Sequence, residues 1–282
     1  MKTILIPFEE SDGLPSILET AYLVATRFGS YIEGLHVRPT LPAIAVDPAF
    51  AATDALTESF ERQNQERARR ARQIFENFLR EKGLPHGDVT QPSDKPTAAW
   101  VEEVSPGDSV VGHRGRLFDL IVVGRPVRGA PAPSMSTLEA ALFDSGRPIL
   151  VAPPKPPKAL GDKIVIAWNG STETARTIAL GMPFLTRAAK VSVLTIEDGL
   201  LPGPTGAEVA RHLIPNGIMA DVVVRPLGGR TIGEAILQET MALGCDLLVK
   251  GGYTQGRLRQ LIFGGATSHI LANAEIPVFM AH

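Results

Sequence analysis

Apolar residues fall along the chain in short continuous runs, such as Ile121-Val122-Val123 and Leu247-Leu248-Val249, rather than in strict alternation with polar ones. Strands buried on both faces of a parallel sheet read this way. In the first half the runs predict strands at 3–8, 31–37, 119–124 and 148–152, with a weaker one at 87–90, and helices at 15–28, 57–82, 95–104 and 134–144. In the second half they predict strands at 163–168, 190–197, 220–226, 246–251 and 277–281, and helices at 171–187, 205–214, 231–243 and 264–274. The plainest helix runs from Thr57 to Lys82: it lacks Gly and Pro, sets Ile74, Phe78 and Leu79 on one face, and is followed by Gly83 in the C-terminal capping position. Strands alternating with helices imply right-handed crossovers and an open, doubly wound α/β sheet.

The pattern occurs twice. Ile4-Leu5-Ile6-Pro7-Phe8-Glu9-Glu10-Ser11 corresponds to Ile164-Val165-Ile166-Ala167-Trp168-Asn169-Gly170-Ser171, and Asp119-Leu120-Ile121-Val122-Val123-Gly124 to Asp246-Leu247-Leu248-Val249-Lys250-Gly251. Arg147-Pro148-Ile149-Leu150-Val151-Ala152 corresponds to Ile276-Pro277-Val278-Phe279-Met280-Ala281. The offsets of 160, 127 and 129 residues show one plan used twice, with about 33 extra residues between the first and fourth strands of the first half. Much of that excess is the proline-bearing segment 38–57, which reads either as a functional loop or as a cover over the sheet edge. Pro153-Pro154-Lys155-Pro156-Pro157-Lys158 lacks most backbone donors and favours an extended spacer. The boundary therefore falls there, with one domain at 1–153, a linker at 154–158 and a second domain at 159–282.

Composition narrows the function classes. In 282 residues, 44% are hydrophobic, 21% are charged and the formal net charge is −2, a balance that supports folded cores and supplies no basic footprint for nucleic acid. No apolar stretch approaches the ~20 residues of a membrane helix, and the first residues read as a strand rather than a secretory signal. A single cysteine, Cys245, excludes an intrachain disulfide and suits a cytoplasmic setting; it reads as a small buried hydrophobe. There is no Gly-x-Ser-x-Gly elbow and no His-Glu-x-x-His pair, and Gly251 to Gly256 imitates a P-loop without its Lys and hydroxyl residue. His36 reads as a satisfied, half-buried side chain, and His113, His269 and His282 are scattered.

Ligands on open α/β sheets bind outside the carboxyl ends of the strands, where strand order reverses. After strand four of the second half comes a loop from Gly251 that ends Gly264-Gly265-Ala266-Thr267-Ser268 at a helix start. Glycines there permit close backbone approach, and the free amides and positive dipole end attract an anion, with the Thr267 and Ser268 hydroxyls and Arg257 and Arg259 nearby. The alternative is that the glycines only cap a turn and let two helices meet. In the first half, Pro126, Pro131 and Pro133 remove amides from the corresponding loop, which argues against a nucleotide there, although Arg125 and Arg128 stand at its mouth.

These loops resemble the universal stress protein family in its tandem, two-domain form. Its members carry, after strand four, a Gly, two residues, a second Gly, nine residues, then Gly followed by Ser or Thr; here Gly251 stands first, Thr254 replaces the second Gly, and Gly264-Gly265 closes the motif. The family's acidic residue after the first strand is Glu9 in one half and Asn169 in the other, and its Gly-Ser survives as Gly170-Ser171. The resemblance implies an adenine nucleotide alpha hydrolase-like fold with strand order 3-2-1-4-5, and an intramolecular pseudo-dimer through strands 148–152 and 277–281, with a homodimer of chains beyond it. It also implies ATP or another adenine nucleotide with Mg²⁺ in the second domain. Asn169 and the backbone around Ala167 would face adenine or ribose, Ile196 would line the base, and Gly251, Thr254, Gly264, Gly265, Ala266 and Thr267 would hold phosphates. Three readings stay open: a nucleotide-binding stress-response protein, a scaffold that recruits partner proteins, and a slow ATPase, for which no base or water-positioning group is arranged.

Overall fold

Ile4, Leu5 and Ile6 are at most 1% exposed because β1 (Thr3–Pro7) lies between two parallel neighbours, β2 (Tyr31–Pro39) and β4 (Leu120–Val123). The computed structural model describes residues 1–40, 54–87, 91, 93–127, 129–130, 132–252 and 265–282. Its remaining strands are β3 (Thr97–Ser105), β5 (Ile149–Val151), β6 (Lys163–Ala167), β7 (Lys190–Ile196), β8 (Ala220–Arg225), β9 (Leu247–Gly251) and β10 (Val278–Ala281). All ten form one sheet in the order β3-β2-β1-β4-β5-β10-β9-β6-β7-β8, so each half has the expected order 3-2-1-4-5.

Alternate side chains point to opposite faces of the sheet, as the pleat requires. Ile4, Ile6, Leu120, Val122, Ile164, Ile166, Leu247 and Val249 pack under α1 (Leu14–Phe28), α2 (Asp54–Lys82), α5 (Thr172–Leu185) and α6 (Gly206–Leu213). Leu5, Ile121, Val123, Val165 and Leu248 pack under α3 (Ser109–Gly115), α4 (Met135–Glu139, continued by a π turn at Ala140–Asp144), α7 (Ile232–Ala242) and α8 (Ala266–Asn273). The repeated aspartates have one job in both halves. Asp119 accepts the amides of Lys2 and Thr3 at the start of β1, and Asp246 those of Gly161, Asp162 and Lys163 at the start of β6.

One expected helix, 95–104, is a strand instead: β3 pairs with β2 from Tyr31–Thr97 to Pro39–Ser105. Ala98, Ala99, Glu102 and Glu103 favour a helix locally. Burial of Ala98 and Ala99 against the sheet, with Trp100 edge-on to Phe8 at 4.9 Å, outweighs that preference. Residues 88–90 of the expected weak strand lie outside the described residues, while His86 bridges to Ala98. Helix α2 also buries a different stripe, Ala68, Ala71, Phe75 and Leu79, leaving Ile74 39% exposed. Gly83 ends it with φ +64°, as its capping position requires.

The halves join through β5 and β10, which pair antiparallel at Val151–Val278, Leu150–Phe279 and Ile149–Met280. Under this junction Phe28 of α1 meets Phe184 of α5 at 4.9 Å, and Phe184 meets Phe279 at 5.6 Å. Arg27 donates to the carbonyls of Leu160, Gly161 and Arg187 and pairs with Asp162 at 2.7 Å. The proline stretch is held at its start, where the Ser16 hydroxyl donates to the Pro153 carbonyl at 2.6 Å.

Candidate functional site

The site in the second half is built where β6 and β9 end and α5 and α8 begin. Asn169 leaves β6 and turns back on its own loop: its Oδ1 accepts the Ser171 amide at 3.2 Å and the Thr174 hydroxyl at 2.7 Å. Ser171 caps α5 by accepting the Thr174 amide. Gly170 makes the turn with φ +82°, and any Cβ there would come within 2.8 Å of the Leu201 carbonyl oxygen. Gly251, at the end of β9, is fixed by close approach: a Cβ would lie 2.5 Å from the Thr174 amide nitrogen. Packing of β9 against the start of α5 therefore accounts for Gly251.

Ala167 and Ile196 are 6% and 4% exposed at the ends of β6 and β7, in the apolar cluster that also holds Leu248 and Ile270. Helix α8, whose Ile270 joins the same cluster, opens at Gly265, which has an extended backbone (φ −96°, ψ 175°), supplies no side-chain cap and, among the described residues, has nothing within 4 Å of its Cβ position. Ala266 and Thr267 form the first turn, and the first intrahelical bond runs from the His269 amide to the Gly265 carbonyl. The preceding amides point out of the helix with the positive end of its dipole. Thr254 and Gly264, together with Arg257 and Arg259, lie outside the described residues.

Lys250, which the sequence reading passed over, is the charged group of this site. It is 6% exposed, and its Nζ donates to the Thr267 hydroxyl at 2.8 Å and to the Gly251 carbonyl at 2.5 Å. Burial pushes the amine down to about 7 from an ordinary value of 10.5. The signal was present: one lysine ends an otherwise apolar run, where the matching position of the first half is Val123.

The first half closes the equivalent place with its own carboxylate. Glu9 accepts the Ser134 amide at 3.2 Å and the Thr137 hydroxyl at 3.0 Å, so it sits on the N-terminus of α4. Burial pushes the Glu9 carboxyl above its usual range, opposed by the hydrogen bonds from Ser134 and Thr137. Asp108 accepts from Ser136 on the same turn. A cavity of about 210 Å³ remains beside it, lined by Asp12, Arg125, Pro133 and Pro153 among others. Arg125 turns away from an anion and donates to the Ala274 carbonyl at 3.1 Å, at the C-terminus of α8; Arg128 lies outside the described residues.

Other candidates are structural. His36 is half-buried, with Nδ1 3.4 Å from the Phe8 carbonyl and its ring stacked on Trp100 at 5.9 Å. Cys245 is half-buried rather than buried, and desolvation raises its thiol to about 11, which keeps it protonated and unreactive.

An open α/β sheet with strand order 3-2-1-4-5 in each half, joined edge to edge, is a tandem adenine nucleotide alpha hydrolase-like fold. Residues 220–282 match the universal stress protein family model. Over the whole chain the fold is similar to a universal stress protein from Archaeoglobus fulgidus, at TM-score 0.71 and 14% identity, covering 99% of this chain and 97% of that one. It is also similar to a functionally unknown protein from Pseudomonas aeruginosa, at TM-score 0.52 and 15% identity, covering 100% and 92%. No curated protein matches the chain in sequence. The matched segment and the shared fold bear out the universal stress protein resemblance read from the sequence, in its tandem form. No helix among the described residues is long and apolar enough to cross a membrane.

Proposed function

We propose that the chain is a cytoplasmic stress-response protein whose second half binds ATP or a related adenine nucleotide, and whose first half does not. The contrast between the two helix N-termini carries this reading. On α4 the Glu9 carboxylate already satisfies the amide and hydroxyl that a phosphate would use. On α8 the N-cap is a glycine without a side-chain cap, and among the described residues nothing lies within 4 Å of its Cβ position. The residues fit a phosphate: Gly265 leaves room for it, the first-turn amides and the Thr267 hydroxyl are donors, and Lys250 is a cation within reach of that hydroxyl. Ala167 and Ile196 offer an apolar wall on the adjoining strands, in keeping with a base. Among the described residues no cluster of three or more His, Cys, Asp or Glu side chains could hold a metal ion, and Mg²⁺ would accompany the nucleotide.

Titration calorimetry of the full chain with Mg-ATP tests this. The wild type binds, and G265D, which places a carboxylate on α8 as Glu9 stands on α4, abolishes binding while keeping the fold by circular dichroism. Failure of the wild type to bind overturns the proposal.

A further inference from the structure

Lys250 presents a problem that the described residues do not solve. Its side chain emerges on the sheet face covered by α7 and α8, beneath Leu248's neighbours, and ends at the first turn of α8. A buried ammonium is costly unless a counter-charge meets it. Its hydrogen-bond partners among the described residues, the Thr267 hydroxyl and the Gly251 carbonyl, are neutral. The positive end of the α8 dipole adds to the mismatch, because a helix N-terminus disfavours a cation.

The charged groups on the surrounding elements are engaged elsewhere. Glu234 of α7 closes a capping box on the Thr231 amide at 2.8 Å, and its electrostatic neighbour is His269 of α8. His282, after β10, faces the Gly252 carbonyl through Nδ1 and rests its ring on Phe143. Glu173 lies in the first turn of α5, on the other face of the sheet. The register neighbour on β10 is Met280, and β6 contributes Ile166 and Ala167. Among the described residues no carboxylate pairs with Lys250, and desolvation is the one influence that shifts its amine.

Two independent features among the described residues therefore call for one negative charge at one place: a buried cation without a counter-ion, and a helix N-terminus without a side-chain cap. We propose that Lys250 is an anion-receiving residue, whose ammonium joins the first-turn amides of α8 and the Thr267 hydroxyl in holding a phosphoryl group, and that it takes up a proton as that group enters. For the identity of the ligand this rests on the nucleotide reading of the same site; for the need of an anion it rests on Lys250 alone. The anion favours the charged amine, so affinity falls as pH rises above the value near 7 at which the free amine titrates. Above pH 7.5 the terminal phosphate of ATP, with its second pKa at about 6, is already ionised and adds no slope of its own. The pH slope and proton uptake are therefore read on ATP, while tripolyphosphate, which still loses a proton in this range, reports the dependence of affinity on Lys250.

The test is calorimetry of the full chain with Mg-ATP and, separately, with inorganic tripolyphosphate. Each is run at pH 7.5 and 8.5, in two buffers of different ionisation enthalpy, on wild type, K250M and K250R. The wild type takes up a proton on binding, and its affinity falls about tenfold over that pH unit, the limit for one linked proton. K250M, whose melting curve reports its fold, binds either ligand more weakly, by about tenfold to a hundredfold for one lost charged hydrogen bond, without proton uptake. K250R keeps its charge at both pH values and binds without the slope.

Unchanged affinity and proton uptake in K250M overturn the assignment, as does failure of the wild type to bind either ligand. Lys250-dependent binding of tripolyphosphate without binding of ATP sustains the Lys250 assignment and removes the nucleotide reading.

Discussion

Glu9, after the first strand of one half, and Lys250, in the fourth strand of the other, each reach the first turn of a helix and carry opposite charges. Glu9 brings an anion to α4, whereas Lys250 brings a cation to α8. Their removal has opposite consequences for the apo fold. Glu9→Ala leaves the Ser134 amide without its acceptor and costs about 1 kcal/mol, while Glu9→Gln keeps the acceptor, sheds the desolvated charge and costs little at pH 7; urea denaturation separates the two. Lys250 has a folded pKa of about 7, below its ordinary 10.5, so the unfolded chain binds more protons between those values. Stability of the apo protein accordingly rises from pH 7 to pH 10.5, and K250M removes that part of the rise; denaturation midpoints across the range check it. Neither role was legible in the sequence. Glu9 stood out as the acidic residue after the first strand, but its cap joins residues 125 positions apart, and a lone lysine in an apolar run reads as strand filler.

At the scale of elements, the central strands are legible to within a residue or two because burial on both faces leaves no other pattern, and the edge strand β8, with Val222 and Val224 exposed, is legible from its valine run alone. β3 was missed because its alanines and glutamates favour a helix, and only pairing with β2 and the contact of Trp100 with Phe8 decide otherwise. Two of the described glycines of the candidate loop, Gly251 and Gly265, prove to have different causes. Gly251 is needed for packing, so Gly251→Ala destabilises by about 1–3 kcal/mol in thermal or urea unfolding, through its clash with Thr174. Gly265 has room and a negative φ, so Gly265→Ser is tolerated and gains about 0.5–1 kcal/mol as a helix cap. The sequence offers both as phosphate glycines; packing alone accounts for Gly251, and in the proposal Gly265 is the one that makes room for a phosphate. Asn169, read as facing the nucleotide, spends its carbonyl oxygen on Ser171 and Thr174.

Across the whole molecule, duplication set the architecture and divergence set the chemistry. The offsets between the repeats predicted two sheets of one plan, and the pairing of β5 with β10 makes them a single sheet. Phe279 is 0% exposed at that junction, in contact with Phe184, which reaches Phe28 of the other half. Phe279→Ala should cost about 3–5 kcal/mol, and calorimetric melting should show it lowering both halves together rather than one alone. The central claim is that one half closed its helix N-terminus with Glu9 while the other kept it open for a phosphate beside Lys250. The stoichiometry of Mg-ATP binding to the full chain tests this most directly. One nucleotide per chain, lost in G265D, is the predicted result; two per chain, or none, contradicts it.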